Sequence, residues 1–328
     1  MAGNPTPDAD QHRLLNSLLR FEEISLGYAG RIYLEQNEHS FLRHDSKGVQ
    51  LQKIWRARFS EWCFSFIDNH QANIPRDVVY VTMNILDRFL SKTSNQLDFG
   101  HESAQTFYEL ASLTSMYVAT KVYVRRIKSF SDSESKKNFL NRDLDVLTIP
   151  CVLHSSTSGF EAIDLEKMEL LILETLGWCI SPLSPSLFVR SFVLCMDWSI
   201  FGPNIREDVY QEGRFFCEMA TCDYFFVNCK ASAIGLAAIV SAMEEHQPTG
   251  QGSCSFNARV DSALQFASSF SGFKCEKATL VSMCERLTQL RKLQVDHEFA
   301  TEKDSAQQRI KSSANMVHVI SSDDLSDG

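Results

Sequence analysis

The chain has 328 residues, 44% of them hydrophobic and 22% charged, with a formal net charge of −9. That length holds two domains of ordinary size plus tails, and the acidic balance argues against a general nucleic-acid-binding surface. No apolar run approaches the roughly 18 residues of a membrane span, and polar Met1 to Gln11 lacks the apolar core of a signal peptide, so an intracellular protein is expected.

Helical periodicity dominates, and strand-like alternation bounded by turns is scarce. Taken in order, Val49 to Asn69 repeats Leu51, Ile54, Trp55, Phe59, Trp62 and Phe66 at helical spacing. Pro75 to Lys92 follows with the stripe Val78, Val81, Ile85, Leu86 and Phe89; Pro75 suits a first helical position and Asp77 the positive end of a helix. Asp87 lies beside that stripe and, if buried, needs a positive partner. Arg56, one helix earlier, is a candidate, although both residues also read as surface charges at helix edges. Phe107 to Lys121 is apolar on nearly every face, as is Lys230 to Met243, and a helix apolar all round must be surrounded.

Between these lies a long polar stretch, Ile127 to Ser158, expected to hold a short helix near Asn141–Leu147 between flexible loops. The basic cluster Lys121, Arg125, Arg126 and Lys128 reads as a solvated loop. A helix Glu161 to Leu176 is expected next, with Ser158 and Glu161 at capping-box spacing. Gly177 reads as the glycine just past its end, and Ser184-Pro185 as a cap followed by a first-turn proline, which places a boundary at 177–185. Helices near Pro185–Met196, Ile205–Cys222, Lys230–Glu244, Asn257–Phe270 and Glu276–Leu293 complete the count. The polar, acidic tail from Ser305 is expected to be disordered.

The predicted fold is therefore all-α. Two all-round apolar helices, each too short to cross a membrane, are best placed at the centres of two helical bundles.

Several phrases carry a resemblance. Trp55-Arg56-Ala57-Arg58-Phe59-Ser60-Glu61-Trp62 resembles the Met-Arg-Ala-Ile-Leu-x-Asp-Trp motif that opens the cyclin box. Leu86-Asp87-Arg88-Phe89-Leu90-Ser91 matches the cyclin Leu-Asp-Arg-Phe-Leu-Ser motif. Leu173-Glu174-Thr175-Leu176-Gly177-Trp178 resembles the end of a first box, and Ala231-Ser232-Ala233-Ile234-Gly235-Leu236-Ala237-Ala238 the central helix of a second, with Ala231 in place of the usual proline. The resemblance implies two tandem five-helix cyclin-fold bundles with flexible termini. Its divisions are an N-terminal extension over 1–48, an N-terminal cyclin box over 49–181, a C-terminal cyclin fold over 182–296 and a disordered acidic tail over 297–328.

In function, the resemblance implies a cell-cycle regulatory subunit, nuclear and/or cytoplasmic, that binds and activates a cyclin-dependent protein kinase and helps select its substrates. Arg56 and Asp87 become a structural ion pair between two helices. On residues alone, Lys121 is a cation snorkelling at a helix end and Glu169 an exposed position on a mostly buried helix. The resemblance assigns both to kinase binding, Lys121 through the Ala119-Thr120-Lys121 phrase and Glu169 through its place after Met168. Here Val122-Tyr123-Val124-Arg125-Arg126 follows the lysine, a basic edge where cyclins carry acidic residues. Trp55, Phe59, Trp62 and Glu109 match a groove that docks short substrate peptides, with Arg58 and Ser65 departing from its pattern. The same aromatics also read as core filling.

No catalytic constellation is present: no Gly-rich phosphate loop, no Gly-x-Ser-x-Gly elbow, no His-Glu-x-x-His. The ten cysteines are scattered, without Cys-x-x-Cys pairs or Cys/His zinc spacing, and read as reduced, half-buried small hydrophobes. No catalytic residue, cofactor, metal or membrane partner is expected, and nucleic acid is an unlikely one. The alternative is a tandem cyclin-fold transcription factor of the general factor B type, which would be expected to show a basic face and often a zinc ribbon.

Overall fold

The computed structural model describes residues 9–40, 46–69, 74–93, 102–130, 159–180, 183–198, 205–246 and 255–295; for 26–40, 46–52, 102 and 124–130 the description is of the backbone alone. Regular structure among them is entirely helical. In chain order the helices are α1 (Ala9–Ser40), α2 (Ser46–Asn69), α3 (Asp77–Thr93), α4 (Glu102–Phe130) and α5 (Ala162–Thr175). They continue with α6 (Pro185–Cys195), α7 (Ile205–Cys222), a 3-10 turn (Tyr224–Phe226), α8 (Ala231–Glu245) and α9 (Phe256–Ser268). Residues 277–295 are helical as well. The described residues up to Cys284 pack as one compact unit, and those from Glu285 onward belong to a second.

Local chemistry explains most boundaries. The Pro75 carbonyl accepts the Val78 N–H at 3.0 Å, so the chain turns there and α3 starts at Asp77, two residues later than expected. The expected Ser158–Glu161 capping box is replaced by a different pair: Glu161 is the N-cap of α5, and its own N–H donates to Asp164 Oδ2 at 3.0 Å. The far end of α5 is a Schellman turn. Gly177 has φ +60°, its N–H donates to Glu174 O at 3.0 Å, and the Trp178 N–H donates to Leu173 O at 2.8 Å. Ser184 caps α6 by accepting the Leu187 N–H at 3.3 Å, with Pro185 in the first turn.

The largest departure is α4, which runs on to Phe130 instead of ending at Lys121. Val122, Tyr123 and Ile127 continue the apolar spacing, and neither Gly nor Pro interrupts it. Lys121, Arg125, Arg126 and Lys128 therefore belong to a helix and not to a loop. The short helix expected near Asn141–Leu147, the Ser158 cap position and the tail beyond 296 lie outside the described residues.

Packing builds two groups of helices. α4 lies against α3 and α5. With α2 they enclose a core that includes Cys63, Ile67, Ile85, Leu86, Phe89, Ala111, Met116, Met168 and Ile172. α8 is contacted by α6, α7 and α9, and it is buried continuously from Ala231 to Ala242. Close approach explains its small residues. A Cβ added at Gly235 would stand 2.9 Å from the Pro185 carbonyl oxygen and 2.9 Å from Phe188 Cβ. α2 and α3 both reach α7, so the two groups meet along that helix.

Candidate functional site

Arg56 projects from α2 and is only 5% exposed. Its Nε donates to Asp87 Oδ1 at 3.0 Å and its Nη2 to Asp87 Oδ2 at 2.9 Å, a two-pronged pair between α2 and α3. The third nitrogen turns away: Nη1 donates to the carbonyl oxygens of Thr221 at 2.9 Å and Cys222 at 3.3 Å. Those carbonyls close α7, where the helix dipole favours a cation. One guanidinium thus neutralises a carboxylate in the first group and caps a helix of the second. Burial, with the Asp87 charge adding to it, pushes the nearby Tyr108 hydroxyl well above the ordinary tyrosine range. The ring therefore stays neutral beside the pair.

Lys121 and Glu169 come from α4 and α5. Lys121 Nζ lies 2.6 Å from Glu169 Oε1 and 4.6 Å from the centre of the Tyr117 ring. The lysine side chain is 42% exposed and the glutamate 18%, so the pair is half-sunk and its tips reach solvent. An ammonium has three N–H donors and a carboxylate about four acceptor positions, so each keeps capacity after bonding the other. Such a neighbouring donor and acceptor can hold the C=O and N–H groups of a partner's backbone. On the same helix as Glu169, α5 leaves Ile163, Leu170 and Leu171 exposed.

Trp55, Phe59 and Trp62 line one side of α2, half-buried and packed against the first core. Phe59 stacks on Trp62 at 5.7 Å, Trp62 on Phe66 at 5.0 Å, and Trp55 meets Tyr108 of α4 at 5.3 Å. Glu109 follows Tyr108 on α4 and is half-buried, while Ile54, Arg58 and Ser65 are exposed. The row fills the core with its inner edge and keeps its outer edge in solvent.

Three contacts of this region carry no signal in the sequence. Arg76 bonds Asp68 Oδ1 at 2.5 Å and Glu218 Oε2 at 2.9 Å and lies over the Phe64 ring, a second tie to α7. Lys92 Nζ donates to Thr175 O at 2.9 Å at the end of α5. Asp77 accepts from Ser186 Oγ at 2.5 Å and Ser184 Oγ at 3.3 Å, joining the starts of α3 and α6. Except for Asp68, eight residues before Arg76, each partner is remote in sequence, so no spacing rule finds it. Burial also holds the Cys63 and Cys217 thiols well above their ordinary range, away from the thiolate form that reacts.

Residues 31–181 match the family model described as "Cyclin, N-terminal domain". The chain is 21% identical to Cyclin-A2-1 of Oryza sativa subsp. japonica over 229 residues, which are 67% of this chain and 40% of that protein. It is also 21% identical to the G2/mitotic-specific cyclin-B3 of Mus musculus over 213 residues, 64% of this chain and 13% of the relative. The match thus spans less than half the length of either curated relative. Residues 31–181, with the Arg56–Asp87 pair inside them, are thus similar to the N-terminal domain of cyclins.

Proposed function

We propose that the protein is a non-catalytic regulatory subunit that binds and activates a cyclin-dependent protein kinase in cell-cycle control. The observation that carries this reading is the Lys121–Glu169 pair, accessible at its tips, on a helix that also leaves Ile163 and Leu170 exposed. In this reading the polar pair holds backbone groups at the kinase's regulatory helix and the apolar residues pack along it. That helix is pressed inward, and the kinase's own Lys–Glu ion pair and activation loop take up their working positions. The cyclin contributes no reacting atom. Trp55, Phe59, Trp62 and Glu109 then offer a second surface on which a short substrate peptide docks. Division into tandem cyclin boxes at 181/182 and residence in the nucleus and/or cytoplasm are parts of the same proposal.

The test is affinity purification of the full chain followed by a kinase assay on the eluate. The wild type is expected to bring down kinase activity, and Lys121→Ala with Glu169→Ala to lose it while remaining folded. Kinase activity retained by the folded double variant would show that this face is not the grip. Nucleic acid in the eluate without a kinase would favour the transcription-factor alternative.

A further inference from the structure

α8 begins without a cap of its own: the N-cap residue is Lys230, whose side chain makes no capping hydrogen bond. The first turn of a buried helix cannot leave its N–H groups unsatisfied without a penalty. The missing acceptor comes from the other end of the chain. Glu22 of α1, 8% exposed, takes the Ser232 N–H on Oε1 at 2.9 Å. The carboxylate also lies at the positive end of the helix dipole.

Neighbouring residues of α1 hold to the same part of the molecule. Asn16 Oδ1 accepts the Ser271 N–H at 2.9 Å, Glu23 pairs with Lys274 at 2.7 Å, and His12 packs on Phe270 at 5.1 Å between ring centres. Leu15 and Leu19 are fully buried, and Gly272, at φ +101°, passes so close to Leu19 that an added Cβ would touch its backbone at 3.5 Å. Segment 12–23 precedes residues 31–181, while α8 and 270–274 follow them. The two stretches outside the family match are thus bonded to each other.

We propose that α1 is a strap latched onto the second helix group, with the Glu22 carboxylate as its latch: while it caps α8 the group is held closed, and releasing it loosens α8 and 270–274 but not α2, α4 or α5. Glu22 is a positioning residue, acting through the first turn of α8.

Hydrogen exchange on the full chain reads this directly, because the Ser232 amide is itself the donor. Glu22→Ala is expected to speed exchange at Ser232 and Ala233, and across 270–274, by about tenfold or more, the scale on which a lost N-cap acts. Helices α2, α4 and α5 should exchange as before. Glu22→Gln, which keeps an acceptor of the same size, should restore most of the protection. Unchanged exchange at Ser232 in Glu22→Ala, or an equal rise throughout α2, α4 and α5, would overturn the strap. Should Glu22→Ala fail to fold, Asn16→Ala removes the neighbouring contact and should loosen the same residues; no change there would overturn the proposal.

Discussion

The helices α4 and α8 each run through the core of their own group but are finished differently. α8 is sealed from Ala231 to Ala242 and built of small residues, so its neighbours meet it nearly backbone to backbone. α4 is buried through Ala111 to Met116 and again at Val118 to Thr120, yet Lys121 stands in solvent and the adjacent α5 leaves Ile163, Leu170 and Leu171 exposed. A helix sealed by its own chain has nothing left to offer a partner. The first group keeps one side unfinished, and that side carries the proposed grip. Between the groups stands Arg56, belonging to both.

The comparison breaks most severely at Arg56. Removing one partner of a buried ion pair strands the other charge and typically costs about 3–5 kcal/mol. Asp87→Ala should therefore lower the denaturation midpoint clearly, and Arg56→Ala should in addition speed amide exchange at the end of α7, whose carbonyls it caps. A melting temperature unmoved in Asp87→Ala would mean that the pair does not hold α2 to α3.

Packing of α8 comes next. Gly235→Ala places a methyl 2.9 Å from the Pro185 carbonyl oxygen, which is backbone and cannot swing aside, so a loss of about 1–3 kcal/mol is expected. Gly213→Ala meets only a Val189 methyl at 3.1 Å and should lose less. Equal losses in urea titrations would show that α6 does not constrain α8.

Lys121 and Glu169 should matter less to stability than either of these sites. Their pair is part-exposed, and such pairs contribute about 0–1 kcal/mol, further reduced by salt. The double alanine variant should melt within a few degrees of the wild type while losing kinase capture. A large drop in melting temperature would make the pair structural and remove its claim to a free face.

The smallest effect concerns the pH response of Glu22. Burial raises its pKa above 4.5, although the Ser232 donor and the Lys230 charge pull the other way. A raised folded-state pKa contributes stability that is present below the unfolded value and is lost as pH climbs through the folded one. Thermal stability should therefore fall slightly as pH rises from about 4.5, and Glu22→Gln should flatten that slope. The charged and titratable groups near Glu22 include Lys230 at the start of α8 and Tyr80 of α3, so the slope is to be read as a difference between variant and wild type. Identical slopes would assign the pH dependence elsewhere.

Much of this was written locally. The periodic stripes of α2 and α3, the Ser184-Pro185 start of α6, the glycine end of α5 and the all-round apolar α8 follow from rules that act over one helical turn, and a single sequence obeys them wherever it folds. The roles given to Arg56, Asp87, Lys121 and Glu169 came from the resemblance of the surrounding phrases to cyclin motifs, since on residues alone each also reads as an ordinary surface charge. The extension of α4 to Phe130 was missed because charged residues were read as a loop where nothing breaks a helix. What only the tertiary structure decided is who meets whom: Arg56 closing α7, Arg76 reaching Glu218, Lys92 capping α5 and Glu22 capping α8. The physical reason is common to all four. A buried charge or an open helix end requires a partner, but that requirement names only the chemistry needed, and packing alone selects which distant residue supplies it.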